Sequence, residues 1–260
     1  MPQIFGKVSR ALPSYSSDGT QVQQRVTGYG DIVTTQLGDN HSSLADEGSY
    51  FKATNSTIGT GTSVTVPTTY TAASPMFMIV NTAASASGKR IFVDYVRLFV
   101  ASVGGTNASA ASQSIQCAVI LDDQTSTTRY SSGGSSAAVS VVNVNSGSSV
   151  ASSASVYFGN SLTATTPGNP RQVVRNVFKT HPAAPTTNSS PVIVGDNYSM
   201  DFGEHSAGSG QLNGFTASAY AASVGPAVIG WGHCLLFYMW YPAASAITPT
   251  YEYEIGWWER

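Results

Sequence analysis

Tyr251–Trp258 reads YEYEIGWW, and it follows the run AVIGWGHCLLFYMWY at residues 227–241 across a connection bracketed by Pro242 and Pro249. Tyr251, Tyr253 and Ile255 alternate with Glu252 and Glu254. A period of two puts the large apolar side chains on one face and the carboxylates on the other, the pattern of a strand with one buried face. Gly256 interrupts the alternation, and the consecutive Trp257 and Trp258 then point to opposite sides. Outward from this stretch, similar runs recur at Met76–Val80, at Arg90–Ala101 (RIFVDYVRLFVA) and at Ser114–Leu121 (SIQCAVIL). Arg90, Asp94 and Arg97 offer the second of these an outer face, whereas the third is apolar enough for a strand covered on both faces. Ala137–Val144, Ser155–Phe158, Arg171–Phe178, Pro191–Val194 and Tyr198–Phe202 follow, each bounded by Gly, Pro, Asn or Ser clusters.

Composition points the same way. The 260 residues hold 25 Val and 11 Ile against 9 Leu, 5 Glu and 4 Lys, which favours pleated, half-buried surfaces over helices. The fold class is all-β. The number of runs and the Gly/Ser-rich loops at 102–113, 122–136 and 203–222 predict a two-sheet β-sandwich over residues 71–260, jelly-roll-like, with an immunoglobulin-like order as the alternative topology. Residues 1–70 lack a long apolar run and carry the turn signals Asp18-Gly19, Gly38-Asp39-Asn40 and Gly59-Thr60-Gly61. They read as an extended N-terminal arm with a few edge strands, plus one helical turn at Leu44–Glu47 after Ser42 or Ser43 as N-cap.

Twelve Lys and Arg face 14 Asp and Glu, a net charge of −2 with 10% of residues charged. So balanced a surface excludes phosphate neutralisation as its main business, and no nucleic-acid partner is expected. No stretch approaches the roughly 18 apolar residues of a membrane span, and Met1–Arg10 has no apolar run of the secretory kind. Cys117 and Cys234 lie inside apolar strand runs, where reduced core thiols in a reducing compartment are expected.

Several residue groups invite chemistry. Asp201-Phe202-Gly203 spells a kinase metal-binding triplet without a glycine-rich loop, strand lysine or HRD loop beside it. His41, His181, His205 and His233 show no ligand spacing; His205 beside Glu204, with Asp201 near, is the best acid/base or metal candidate, set against a plain polar turn. Glu252 and Glu254 share a strand face as a carboxylate pair or as a solvated outer face. Asp122-Asp123 offers two carboxylates to Ca²⁺, far short of the roughly six to eight oxygens such a site needs. Neither GxSxG nor HExxH occurs, so no catalytic residue, metal or cofactor is expected. All four tryptophans, Trp231, Trp240, Trp257 and Trp258, lie within the last 30 residues. They serve as sandwich core, as an anchor into a partner chain, or as a sugar-stacking platform.

RVTGYGDIVTTQLGDNHSSLADEGSYFKATN (Arg25–Asn55), followed by GKRIFVDYVRL (Gly88–Leu98), resembles tailed-bacteriophage virion structural proteins of the head-decoration or cement type. The resemblance covers the first 100 residues. It implies a non-enzymatic protein made in the host cytoplasm and carried on the capsid surface, where a jelly-roll body, often trimeric, bridges major capsid subunits and an arm lies across neighbours. The expected partner and oligomer contacts are Lys7, Arg10 and Arg25 on the arm and Trp257 and Trp258 on the tail. A tail-fibre or glycan-binding receptor head would share the composition, and so would a jelly-roll capsid protein. The latter normally has a strongly basic arm, whereas here Lys7, Arg10 and Arg25 are balanced by Asp18, Asp31 and Asp39.

Overall fold

The computed structural model describes residues 44–104, 113–123, 129–134, 139–181, 192, 194–203, 219–242 and 246–260. The strands, in chain order, are β1 (Tyr50–Asn55), β2 (Thr62–Ser63), β3 (Phe77–Asn81), β4 (Ile91–Ser102), β5 (Gln113–Asp122), β6 (Tyr130–Ser132), β7 (Val139–Asn143) and β8 (Ala154–Phe158). Then come β9 (Thr163–Ala164), β10 (Pro170–His181), β11 (Asn197–Phe202), β12 (Ala219–Val224), β13 (Ala227–Ile229), β14 (Cys234–Trp240) and β15 (Thr250–Glu259).

They form a β-sandwich. An eight-stranded sheet runs β12-β11-β4-β15-β1-β7, with β13 on β4 and β2 on β15; a five-stranded sheet runs β10-β5-β14-β3-β8; β6 and β9 make a separate pair. Pairing is antiparallel except between β11 and β12. The long strands pair in nested fashion: β1 with β15, β3 with β14, β4 with β11, and β5 with β10.

The main core lies between the sheets and includes Phe77, Leu98, Phe237, Tyr251, Ile255 and Trp257. A second buried cluster covers the other side of the five-stranded sheet, with Met78, Ile120, Leu236 and Tyr238 beneath the β6–β9 pair. Segment 70–73 closes over it: Tyr70 packs edge-on to Tyr238 and Trp240, the Tyr238 hydroxyl donates to Ala72 O at 2.8 Å, and Ala164 N donates to Ala73 O at 2.8 Å. This double cover explains why the SIQCAVIL run is uniformly apolar and why every residue of β14 is buried.

The domain boundary near residue 70 needs correcting. β1 lies inside the eight-stranded sheet, hydrogen-bonded to β15 on one side and β7 on the other, and Val64 and Val66 belong to the main core. The described part of the expected arm is therefore sandwich; residues 1–43 lie outside the described residues. Tyr50–Thr54 alternates like β15, but its apolar residues are too few to stand out without their distant partners. The helical turn does form at Leu44–Asp46, closed by Gly48 N donating to Ala45 O. Val192 and Val194 are in bend and turn rather than strand, and the 227–241 run breaks at Gly230–His233 into two strands in different sheets. The glycines on either side of Trp231 make that break. Gly232 takes a left-handed φ of 71° that a side-chain-bearing residue resists.

Candidate functional site

The outer face of the eight-stranded sheet gathers several of the polar residues that sequence singled out, among them Asp94, Arg97, Glu252 and Glu254. On β4, Val93, Val96, Leu98 and Val100 face the core. The gap between Val93 and Val96 is one residue too long for simple alternation. Gly256 pairs with Tyr95 and Trp257 with Val93, so Asp94 has no counterpart on β15. This is a β-bulge, and it turns Asp94 and Tyr95 to the same outer side.

Around the bulge the side chains interlock. The Tyr50 hydroxyl donates to Asp94, and the Tyr95 hydroxyl donates to Glu254 Oε1. Lys52 Nζ reaches the same Glu254 oxygen at 2.6 Å, and the Arg97 guanidinium lies 4.3 Å from the Tyr95 ring centroid. Burial alone would raise the Glu254 pKa, but the hydrogen bonds from Lys52 and Tyr95 outweigh it and hold the carboxyl below its ordinary value. Burial works against the Lys52 ammonium, yet its bond to Glu254 leaves its pKa raised. Burial and the Glu254 bond together push Tyr95 up to about 12. Burial also raises Asp201 on the adjoining strand β11, against the pull of Arg97. Glu252 and Glu254 thus occupy a half-buried outer face, with Tyr251, Tyr253 and Ile255 buried beneath them. Phe99 and Val142 stand on the same sheet at 45% exposure each.

Trp257 and Trp258 part company as the consecutive positions require. Trp257 is fully buried against Phe51, and its indole N–H donates to Glu259 Oε1 at 3.2 Å. Glu259 is itself buried and also accepts from Ser153 N. Trp257 is therefore a core residue of its own chain, and its expected role as a subunit contact is corrected. Trp258 is the half-buried indole on the outer face, stacked on Phe92 at 3.8 Å between ring centroids. Lys7, Arg10 and Arg25 lie outside the described residues, as do His41, Glu204 and His205.

Asp122 and Asp123 do not act as a calcium pair, because each carboxylate already has its own arginine. Asp122 is buried with Arg129 Nε 2.9 Å away and also accepts the backbone N–H groups of Gly168 and Asn169. Asp123 accepts from Arg171 Nη2 and from Asn169 Nδ2, each at 3.0 Å. Among the described residues no group of three or more His, Cys, Asp or Glu is placed to hold a metal, and no helix is long and apolar enough to cross a membrane.

Both thiols are free and buried. Cys117 pairs with Met239 and Cys234 with Asp122, five positions apart along β5, so the two lie on opposite faces of the sheet, one in each buried cluster. No bridge can form between them without moving the backbone. Desolvation pushes each up to about 12.

What sequence reasoning missed here is the set Tyr50, Lys52, Tyr95 and Arg129. The first two sat in the supposed arm, the third faces outward only because of the bulge, and a lone arginine in a loop gives no sign of being buried. Comparison with protein-family models, with curated proteins and with solved structures finds no match.

Proposed function

We propose that this chain is a non-enzymatic structural protein of a tailed-bacteriophage virion, a cement protein that bridges major capsid subunits. The observation that carries the reading is the outer face of the eight-stranded sheet. Phe99 and Val142 are each 45% exposed there, beside charges already paired to one another and the half-buried Phe92–Trp258 stack. A face that mixes large apolar side chains with neutralised charges suits burial against another protein, because little desolvation is left uncompensated. A protein that binds only the assembled shell stabilises it by mass action.

The same face supports a closed homo-oligomer, a trimer, with Trp258 rather than Trp257 at the subunit contact. Immunogold electron microscopy of virions with an antibody against this chain tests the location. Label spread over the head is the expected result, and label confined to the tail or absent from particles overturns the cement reading. Sedimentation of the purified protein tests the contact: wild type is expected as a trimer and Trp258→Ala as a monomer with its β-sheet signal intact. A monomeric wild type overturns the oligomer.

A further inference from the structure

We propose that the recess where β5 ends and β10 and β14 begin binds a neutral pyranose, the terminal residue of a glycan, with Trp231 as its stacking plane. The recess is a cavity of about 50 Å³ whose walls include Asp123, Arg171, Val228 and His233. That volume admits one or two hydroxyl groups rather than a whole ring, so the sugar sits on the rim and inserts one edge.

Three features make this a prepared site. The first is Trp231, 44% exposed at the tip of the turn between β13 and β14, its ring centroid 6.2 Å from that of His233. So large an apolar surface left in water is costly unless something covers it. Its turn is held from below by Asn81, which is fully buried. The Asn81 side chain donates to Ile229 O at 3.1 Å, its backbone N–H donates to His233 O, and its carbonyl accepts from Gly232 N, the last two at 3.0 Å. The indole is thus presented on a rigid base, which lowers the entropy lost on binding.

The second feature is Asp123, whose carboxylate is oriented by Arg171 and Asn169 at 3.0 Å each. A carboxylate fixed beside a guanidinium can accept from one sugar hydroxyl while the arginine donates to its neighbour. The third is His233, which lines the cavity and whose imidazole can serve as donor or acceptor. Charge selects among ligands. Asp123 is matched by Arg171 and Asp122 by Arg129, so a charged ligand would have to break an existing pair, whereas a neutral polyol would not. Trp231 stands next to His233 rather than in the wall of the recess, while Asp123, Arg171 and His233 line the wall itself.

The site stands apart from the virion reading, and binding tests it wherever the protein resides. Saturation-transfer NMR with the full chain uses galactose, glucose, mannose and N-acetylglucosamine as probes, with sialic acid and inorganic phosphate as the anionic arm. At least one neutral sugar is expected to receive transfer at millimolar concentration. Trp231→Ala and Arg171→Gln are each expected to weaken it about tenfold or more, with the thermal melt unchanged. Because both side chains are exposed, loss of fold in one variant leaves the other to decide. Transfer to none of the four neutral sugars, transfer only to the anions, or sugar binding that both variants retain in full overturns the proposal.

Discussion

The ring of Tyr95 lies across Gly256 on the neighbouring strand: a β-carbon built at residue 256 would stand 2.5 Å from Tyr95 Cε1 and 2.8 Å from the Tyr50 hydroxyl. The glycine is what lets the Tyr50 phenol cross β15 to reach Asp94 and the Tyr95 phenol lie over β15 to reach Glu254. Those bonds pin the two rings, so they cannot swing aside without cost. Gly256→Ala is therefore expected to destabilise the fold by about 1–3 kcal/mol, the range for overpacking. Denaturant unfolding measures it, and a loss below about 0.5 kcal/mol would show that the rings yield freely.

Asp122 and Arg129 form a buried pair that ties β5 to the strand segment covering the second core cluster. Arg129→Met alone strands a buried carboxylate and should cost about 3–5 kcal/mol. Adding Asp122→Asn to that variant removes the stranded charge and should recover most of the loss. Unfolding curves for the single and double variants check the order; equal losses would mean that the charge is not the source.

Glu254 has a folded pKa below its ordinary value of 4.5, so the charged form stabilises the native state. That contribution is present above about pH 4.5 and is lost as pH falls through the lower folded value. Glu254→Gln is accordingly expected to lower stability near neutrality by about 1 kcal/mol, a modest figure because both ends of the Lys52 pair are a third exposed. The gap between variant and wild type should close in acid. Melting temperatures measured from pH 7 down to pH 3 give the test.

The thiols of Cys117 and Cys234 are raised from 9.0 to about 12 by burial. Folding keeps them protonated while the unfolded chain ionises above pH 9, so their contribution is full below pH 9 and is lost as pH climbs towards 12. Replacing both by Ala or Val should flatten the alkaline limb of the stability profile. Thiol titration should return no reactive group in the native protein and two after denaturation without reductant.

The new position of the sandwich boundary separates two truncations. A chain beginning at His41 retains β1 and is expected to keep its β-sheet signal and melting temperature, while losing attachment to empty heads under the cement reading. A chain beginning at Thr71 removes β1 from between β15 and β7 along with Val64 and Val66, and is expected not to fold. Circular dichroism and thermal melts distinguish the outcomes; a folded 71–260 fragment would restore the boundary at residue 70.

Sequence by itself determined what depends on local periodicity. The Tyr251–Ile255 alternation, the two-sided apolar run of β5 and the burial of both cysteines follow from which side chains recur along each strand, and the structure bears each out. Gly256 hid the continuation of that alternation. It has no side chain to declare its face, yet the burial of Tyr251, Tyr253, Ile255 and Trp257 shows the period running unbroken through it, while the extra residue lies across the ladder at Asp94.

Tertiary structure alone decided which partners complete each face. Tyr50–Asn55 becomes an interior strand because β15, about 200 residues away in the chain, supplies its hydrogen bonds. Arg129 is buried because the Asp122 carboxylate, equally buried, lies 2.9 Å from its Nε. Trp231, unlike the other three tryptophans, ends at a turn tip because the strands beside it belong to different sheets. Contacts between distant segments leave no periodic trace in either one, since each side chain obeys its own strand's alternation whatever lies opposite.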